Sequence, residues 1–177
     1  MDNQKQRDIR LLAETIRETL ELSVPVDVEK AVHRLGGTLV EIEKLENAME
    51  AKVMRKGERF EIAIHGGKHN NRKRFSIAHE LGHLFLHMGY LMDPERWKKS
   101  GEYRDSVYYR FGHNIEEEEA NEFAAAFLMP EDEFRDIAEQ LVENGRCSVE
   151  QVAKHFLTSA DATKIRGNSL GVFRSLP

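Results

Sequence analysis

Apolar residues recur along this chain with two spacings, and the elements follow the changes between them. Ile9, Leu12, Ile16 and Leu20 fall three or four positions apart with charges between them, which predicts an amphipathic helix over residues 2–22. Pro25 breaks the chain, and Asp27 is placed to cap a short helix carrying Val28, Ala31, Val32 and Leu35 that ends at Gly36 and Gly37. The spacing then drops to two. Val40 and Ile42 alternate with polar residues, and 51–56 and 59–65 flank Lys56-Gly57-Glu58 as the arms of a hairpin. Phe60, Ile62 and Ile64 predict one buried sheet face, and the edge of that strand is a candidate site for an extended peptide.

Helical spacing returns over 72–87, with an asparagine just before it as a cap, and again over 115–128 up to Pro130. Further helices are expected over 131–144, over 148–156 capped by Ser148, and from Ser159 onward, with a closing strand at 170–173. Residues 89–114 show neither period. They hold Trp97 and all four tyrosines, and so long a connection in a compact domain points to a functional or mobile loop.

Composition narrows the function classes. A chain of 177 residues with 40% apolar residues and a net charge of −5 suits a soluble domain. That balance argues against a protein that coats nucleic acid. No apolar run is long enough to span a bilayer, and the first residues lack a secretory layout. With Cys147 as the single cysteine there is no internal disulfide, so the expected location is cytoplasmic. Cys147 itself is expected as an ordinary surface or half-buried thiol.

The chemistry is concentrated in His79-Glu80-Leu81-Gly82-His83, an H-E-x-x-H sequence. Residues four apart on a helix share a face, so His79 and His83 can converge on one ion, expected to be zinc. Glu80, one position away, stays free to act as general base toward an attacking water. Phe75, Ile77, Ala78, Leu81, Leu84 and Phe85 surround the motif with apolar residues, which sets it on a core helix rather than a surface one. A third ligand is required. His87 lies eight residues from His79, too far for one ion on a straight helix, and is read as a core or supporting histidine.

The acidic run Glu116 to Glu119 offers the alternative. Glu117 stands three before Ala120 and four before Asn121, on the side of the inward stripe Ala120, Phe123, Ala124 and Phe127, so it is the first choice and Glu119 the reserve. Asn121 is a candidate partner for a ligand histidine. Tyr103, Tyr108, Tyr109 and His113 are candidates for stabilising an oxyanion, although packing or solvent exposure accounts for each as well. Arg72, Lys73 and Arg74 are read as a solvated helix start.

The segment from Arg72 to His83, with Glu117 to Ala125 and Leu128-Met129-Pro130, resembles the ImmA/IrrE family of metallopeptidases. The resemblance implies an α+β, zincin-like fold: a small twisted sheet packed on the H-E-x-x-H helix, with helices at the C-terminal end. It implies a metallopeptidase domain over 1–145, and residues 146–177 as a helical appendage packed on it. It also implies a gluzincin-type E-x-x-A pattern that puts the third ligand at Glu117. The substrate class it implies is a DNA-binding, helix-turn-helix repressor, with no direct nucleic-acid contact. Gly167 departs from the family pattern, since a bulky apolar residue is common there. The rival reading is a non-catalytic zinc-containing regulatory module that binds a repressor or DNA through the helices between Ser148 and Arg166.

Overall fold

A computed structural model describes residues 1–43, 51–67, 70–103, 115–143 and 146–173. Helix α1 (Asn3–Thr19) is capped by Asp2, whose side chain accepts from the Lys5 amide, and it buries Ile9 and Ala13. Asp27 caps α2 (Val28–Arg34) in the same way. Strands β1 (Thr38–Ile42), β2 (Ala51–Lys56), β3 (Arg59–His65) and the two-residue β4 (Glu102–Tyr103) form one sheet in the order β1-β3-β2-β4. β1 runs parallel to β3, and β2 and β3 form the expected antiparallel hairpin through Gly57 at φ +67°.

Val53, Phe60, Ile62 and Ile64 line the sheet face that joins the main core, while Ala63 turns to the opposite face with Ile42 and Met54. β3 is therefore central, and its edges are taken by β1 and β2. The expected peptide-binding edge on 59–65 does not exist, because strand pairing is set by distant partners and not by the alternation within one strand.

Helix α3 (Asn70–Leu86) carries the H-E-x-x-H sequence across this core, burying Ile77, Ala78, Leu81, Leu84 and Phe85. It begins two residues earlier than expected, so Asn71 lies inside the helix and donates to the Thr158 carbonyl. The basic start of α3 is also more tied down than a solvated face. Lys73 pairs with Glu41 at 2.7 Å, and Arg74 donates to the Leu157 carbonyl at 3.3 Å. The first half of the supposedly irregular segment is ordered: α4 (Pro94–Lys99), capped by Asp93, buries Trp97 against Tyr90, with ring centroids 4.9 Å apart.

Helix α5 (Ile115–Leu128) packs along α3 on one side and α1 on the other. Beyond Pro130, α6 (Glu131–Gln140) stops earlier than expected, and Val142–Glu143 (β5) pairs with Arg146–Cys147 (β6). Cys147 is half-buried, and burial raises its thiol pKa. Helix α7 (Val149–Phe156) is capped by Ser148 as expected, and α8 (Ala160–Ser169), expected from Ser159 onward, has Ser159 as its cap. The closing strand at 170–173 is absent. Instead the amides of Val172 and Phe173 return to the Gly167 carbonyl, and the Phe173 ring lies over Gly167, where an added Cβ would meet it at 2.0 Å. The missing side chain at 167 is thus replaced by an aromatic ring from six residues on. Among the described residues no helix is long and apolar enough to cross a membrane.

The α3–α5 contact sets the site. A Cβ at Gly82 would come within 3.0 Å of Ala120 Cα and 3.1 Å of its carbonyl oxygen, both backbone atoms. Gly82→Ala gains about 1 kcal/mol of helix propensity but wedges two packed backbones apart, at about 1–3 kcal/mol. Net destabilisation is expected in urea unfolding; a variant as stable as the parent would show that the helices do not need this close approach.

Candidate metal centre

Three side chains expected as ligands meet between α3 and α5. His79 and His83 leave the same face of α3 one turn apart, with ring centroids 4.6 Å apart and planes at 76°. Glu117 enters from the first turn of α5, where a carboxylate also suits the positive end of the helix. His79 Nε2 and His83 Nε2 lie 2.9 Å apart, Glu117 Oε2 is 3.1 Å from the first, and Glu117 Oε1 is 3.3 Å from the second. Among the described residues these three form a group whose ligand atoms all lie within 4.8 Å of one another. Glu119 does not join it. Its Oε2 meets His87 Nε2 at 3.2 Å and its Oε1 meets Lys5 Nζ at 3.5 Å, so of the two glutamates Glu117 is the one brought to the histidines. His87, outside that group, lies beside His83, with their Nδ1 atoms 2.9 Å apart.

The donor set fits a small tetrahedral cation. Donors bound at ~2.0–2.1 Å around a tetrahedral centre stand ~3.3 Å from one another, close to the spacing of these atoms. Tautomers agree. Asn121 Oδ1, 3.0 Å from His79 Nδ1, has no proton to give, so His79 Nδ1–H donates and its Nε2 lone pair faces His83 and Glu117. Two imidazole lone pairs and a carboxylate held this close repel one another unless a cation sits among them.

Protonation runs the same way. Burial lowers the His83 pKa from 6.5 to about 4, against the opposing pull of Glu117. Burial works to raise the Glu117 carboxyl, but in the metal-free protein its contacts with the His79 and His83 rings outweigh it and hold the group well below the usual carboxylate range. Neutral imidazole and ionised carboxylate are the states a metal requires. His83 is fully buried while the His79 and Glu117 side chains are 12% and 22% exposed, so the group opens toward solvent on one side. Glu80, next to His79 on α3, is 1% exposed. Tyr103 lies in β4 opposite Val53, and Tyr108, Tyr109 and His113 fall outside the described residues.

The depressed His83 value has a consequence for the metal-free protein. Between pH 6.5 and about 4 the unfolded chain binds a proton at this position and the folded chain does not, so stability falls as pH falls through that window. Thermal melts of metal-free protein from pH 7 to 4 are expected to show a steeper loss for wild type than for His83→Phe. Equal slopes would show that His83 is not held neutral by the fold.

Comparison with known proteins supports the same fold and family. The family described as IrrE N-terminal-like domain, a peptidase family, matches residues 36–167. Among solved structures the chain is similar to a Mycobacterium tuberculosis transcriptional regulator, at 18% identity and a TM-score of 0.57. That likeness covers 89% of this chain but 45% of the other, so this chain spans less than half the length of that neighbour. No curated protein matches. With an α+β architecture, an H-E-x-x-H helix and a family match that runs from β1 into α8, the chain belongs to the IrrE N-terminal-like domain family of metallopeptidase type.

Proposed function

We propose that the chain is a zinc-dependent endopeptidase that hydrolyses a peptide bond in a protein substrate, with a helix-turn-helix repressor as the substrate class. The observation that carries this reading is the convergence of His79, His83 and Glu117 with Glu80 one residue from a ligand. In this reading His79 Nε2, His83 Nε2 and a Glu117 oxygen hold the metal, and the exposed side of the group leaves a position for solvent and substrate. Two imidazoles and a carboxylate are a donor set that suits zinc. The ion would supply Lewis acidity toward the scissile carbonyl and acidify a water.

Glu80 takes the proton of the attacking water and delivers it to the leaving amine nitrogen. Its burial keeps that carboxylate out of bulk solvent. Asn121 keeps His79 turned toward the ion. Residues 1–145 form the peptidase domain in this reading and 146–177 an appendage on the same unit. Val152 and Phe156 joining the main core, and Phe156 stacking on Phe134 at 5.6 Å, support that assignment.

A second reading is favoured by the name of the structural neighbour, a transcriptional regulator. It is a non-catalytic, zinc-containing module that binds a repressor or DNA. The intact Glu80 favours the enzyme, since a purely structural metal needs no base beside it.

Two variants separate these readings. Glu80→Gln is expected to keep zinc stoichiometry while cleavage of a co-expressed repressor falls by ~10²–10⁴-fold, the usual contribution of a general base. Undiminished cleavage would remove Glu80 from the chemistry, and a wild-type chain that binds the repressor but never cuts it would favour the module. Glu117→Ala is expected to lose zinc on dialysis in an elemental assay; full retention would mean that the third ligand lies elsewhere.

A further inference from the structure

The two ligand histidines are backed unequally. His79 rests on a side-chain amide at the protein surface. His83 rests on a second histidine that in turn rests on a carboxylate. His83 Nδ1 lies 2.9 Å from His87 Nδ1, His87 Nε2 lies 3.2 Å from Glu119 Oε2, and Glu119 Oε1 lies 3.5 Å from Lys5 Nζ on α1. The His83 side chain is fully buried, that of His87 is 4% exposed and that of Glu119 is 11% exposed, so the path runs through the interior of the α3–α5 contact.

We infer that Glu119 and His87 form a relay that fixes the tautomer of His83, making both positioning residues for the metal centre. This inference rests on the proposed metal role of His83. An ionised carboxylate only accepts hydrogen bonds, so His87 must present Nε2–H to Glu119. A neutral imidazole has one N–H, so His87 Nδ1 is then an acceptor. His83 Nδ1 must donate to it, which leaves the His83 Nε2 lone pair facing Glu117 and the metal position. One carboxylate thus sets the direction of two imidazoles and leaves the buried ligand ready to bind without a tautomer change. Supporting partners of this kind are worth about 10–100-fold in metal affinity.

The spacing explains why a third histidine stands in the turn that closes α3, where the His87 amide still donates to the His83 carbonyl at 3.0 Å. His87 follows His83 at the same four-residue interval that separates His83 from His79, so one stripe along α3 and the turn after it holds ligand, ligand and support. Glu119 stands two positions after Glu117 on α5. That rotates the second carboxylate away from the His79–Glu117 side and toward His87.

The test uses the full chain, zinc alone and a chromophoric chelator as competitor. His87→Phe keeps the ring volume and removes the acceptor, and is expected to weaken zinc binding by about 10–100-fold. His87→Asn places an amide oxygen near the position of Nδ1, and is expected to recover most of that loss. A His87→Phe variant with wild-type affinity, or a His87→Asn variant as weak as His87→Phe, would overturn the relay. Imidazole ¹⁵N spectra of metal-free wild type need no variant. They are expected to show the proton of His83 on Nδ1 and that of His87 on Nε2, and the reverse assignment would overturn the inference. A wild-type chain with no zinc affinity would instead bring down the metal centre itself, and the relay with it.

Discussion

Everything at the candidate site depends on how closely two helix backbones approach. Gly82 lies one residue before His83, and its bare Cα faces the backbone of Ala120, three residues after Glu117. With a larger residue at either place the helices would stand further apart, and a carboxylate on a short Glu side chain would no longer reach two imidazoles across the gap. The stacking of Phe123 on Phe85 at 6.0 Å and on Phe127 at 5.9 Å extends the same contact along the helices. The small residues and the aromatic ones therefore have one task, to set a distance.

That distance has an electrostatic cost, which the surrounding groups manage. Three donor atoms around 3 Å apart are a poor arrangement for an empty protein, because lone pairs crowd one another. The fold holds them there by backing each ring on its far side, with Asn121 behind His79 and His87 behind His83. Burial keeps His83 neutral, and the contacts with the two rings hold the Glu117 carboxyl low. The charges of α5 are also anchored away from the site: Glu122 binds Arg10 of α1 and the buried Arg166 of α8, whose own pKa burial lowers to about 10. The helices from both ends of the chain thus brace the helix that carries Glu117.

Local signals in the sequence carried much of this. The four-residue interval of His79 and His83, the apolar positions around them and the three- and four-residue offsets of Glu117 are all properties of one helix, so periodicity alone places them. Caps at Asp2, Asp27, Ser148 and Ser159 are equally local. What periodicity does not contain is the choice of neighbour. The edge expected on β3 is absent because β1, from before the hairpin, pairs with it in parallel. The helix expected to reach residue 144 ends at Gln140, where a short strand pairing competes successfully with helical propensity. Trp97 belongs to an ordered helix because Tyr90 and the sheet offer it a surface, which no local count reveals. Glu119 was legible as an acid near the site but not as the partner of His87, since two positions on a helix turn a side chain to a different neighbour.

X-ray absorption at the zinc edge of the reconstituted full chain tests the central claim most directly. The expected result is a first shell of nitrogen and oxygen only at ~2.0–2.1 Å, with outer-shell scattering from two imidazole rings and not more. Scattering from three imidazoles, or a sulfur at ~2.3 Å, would mean that the ion is held by residues other than His79, His83 and Glu117.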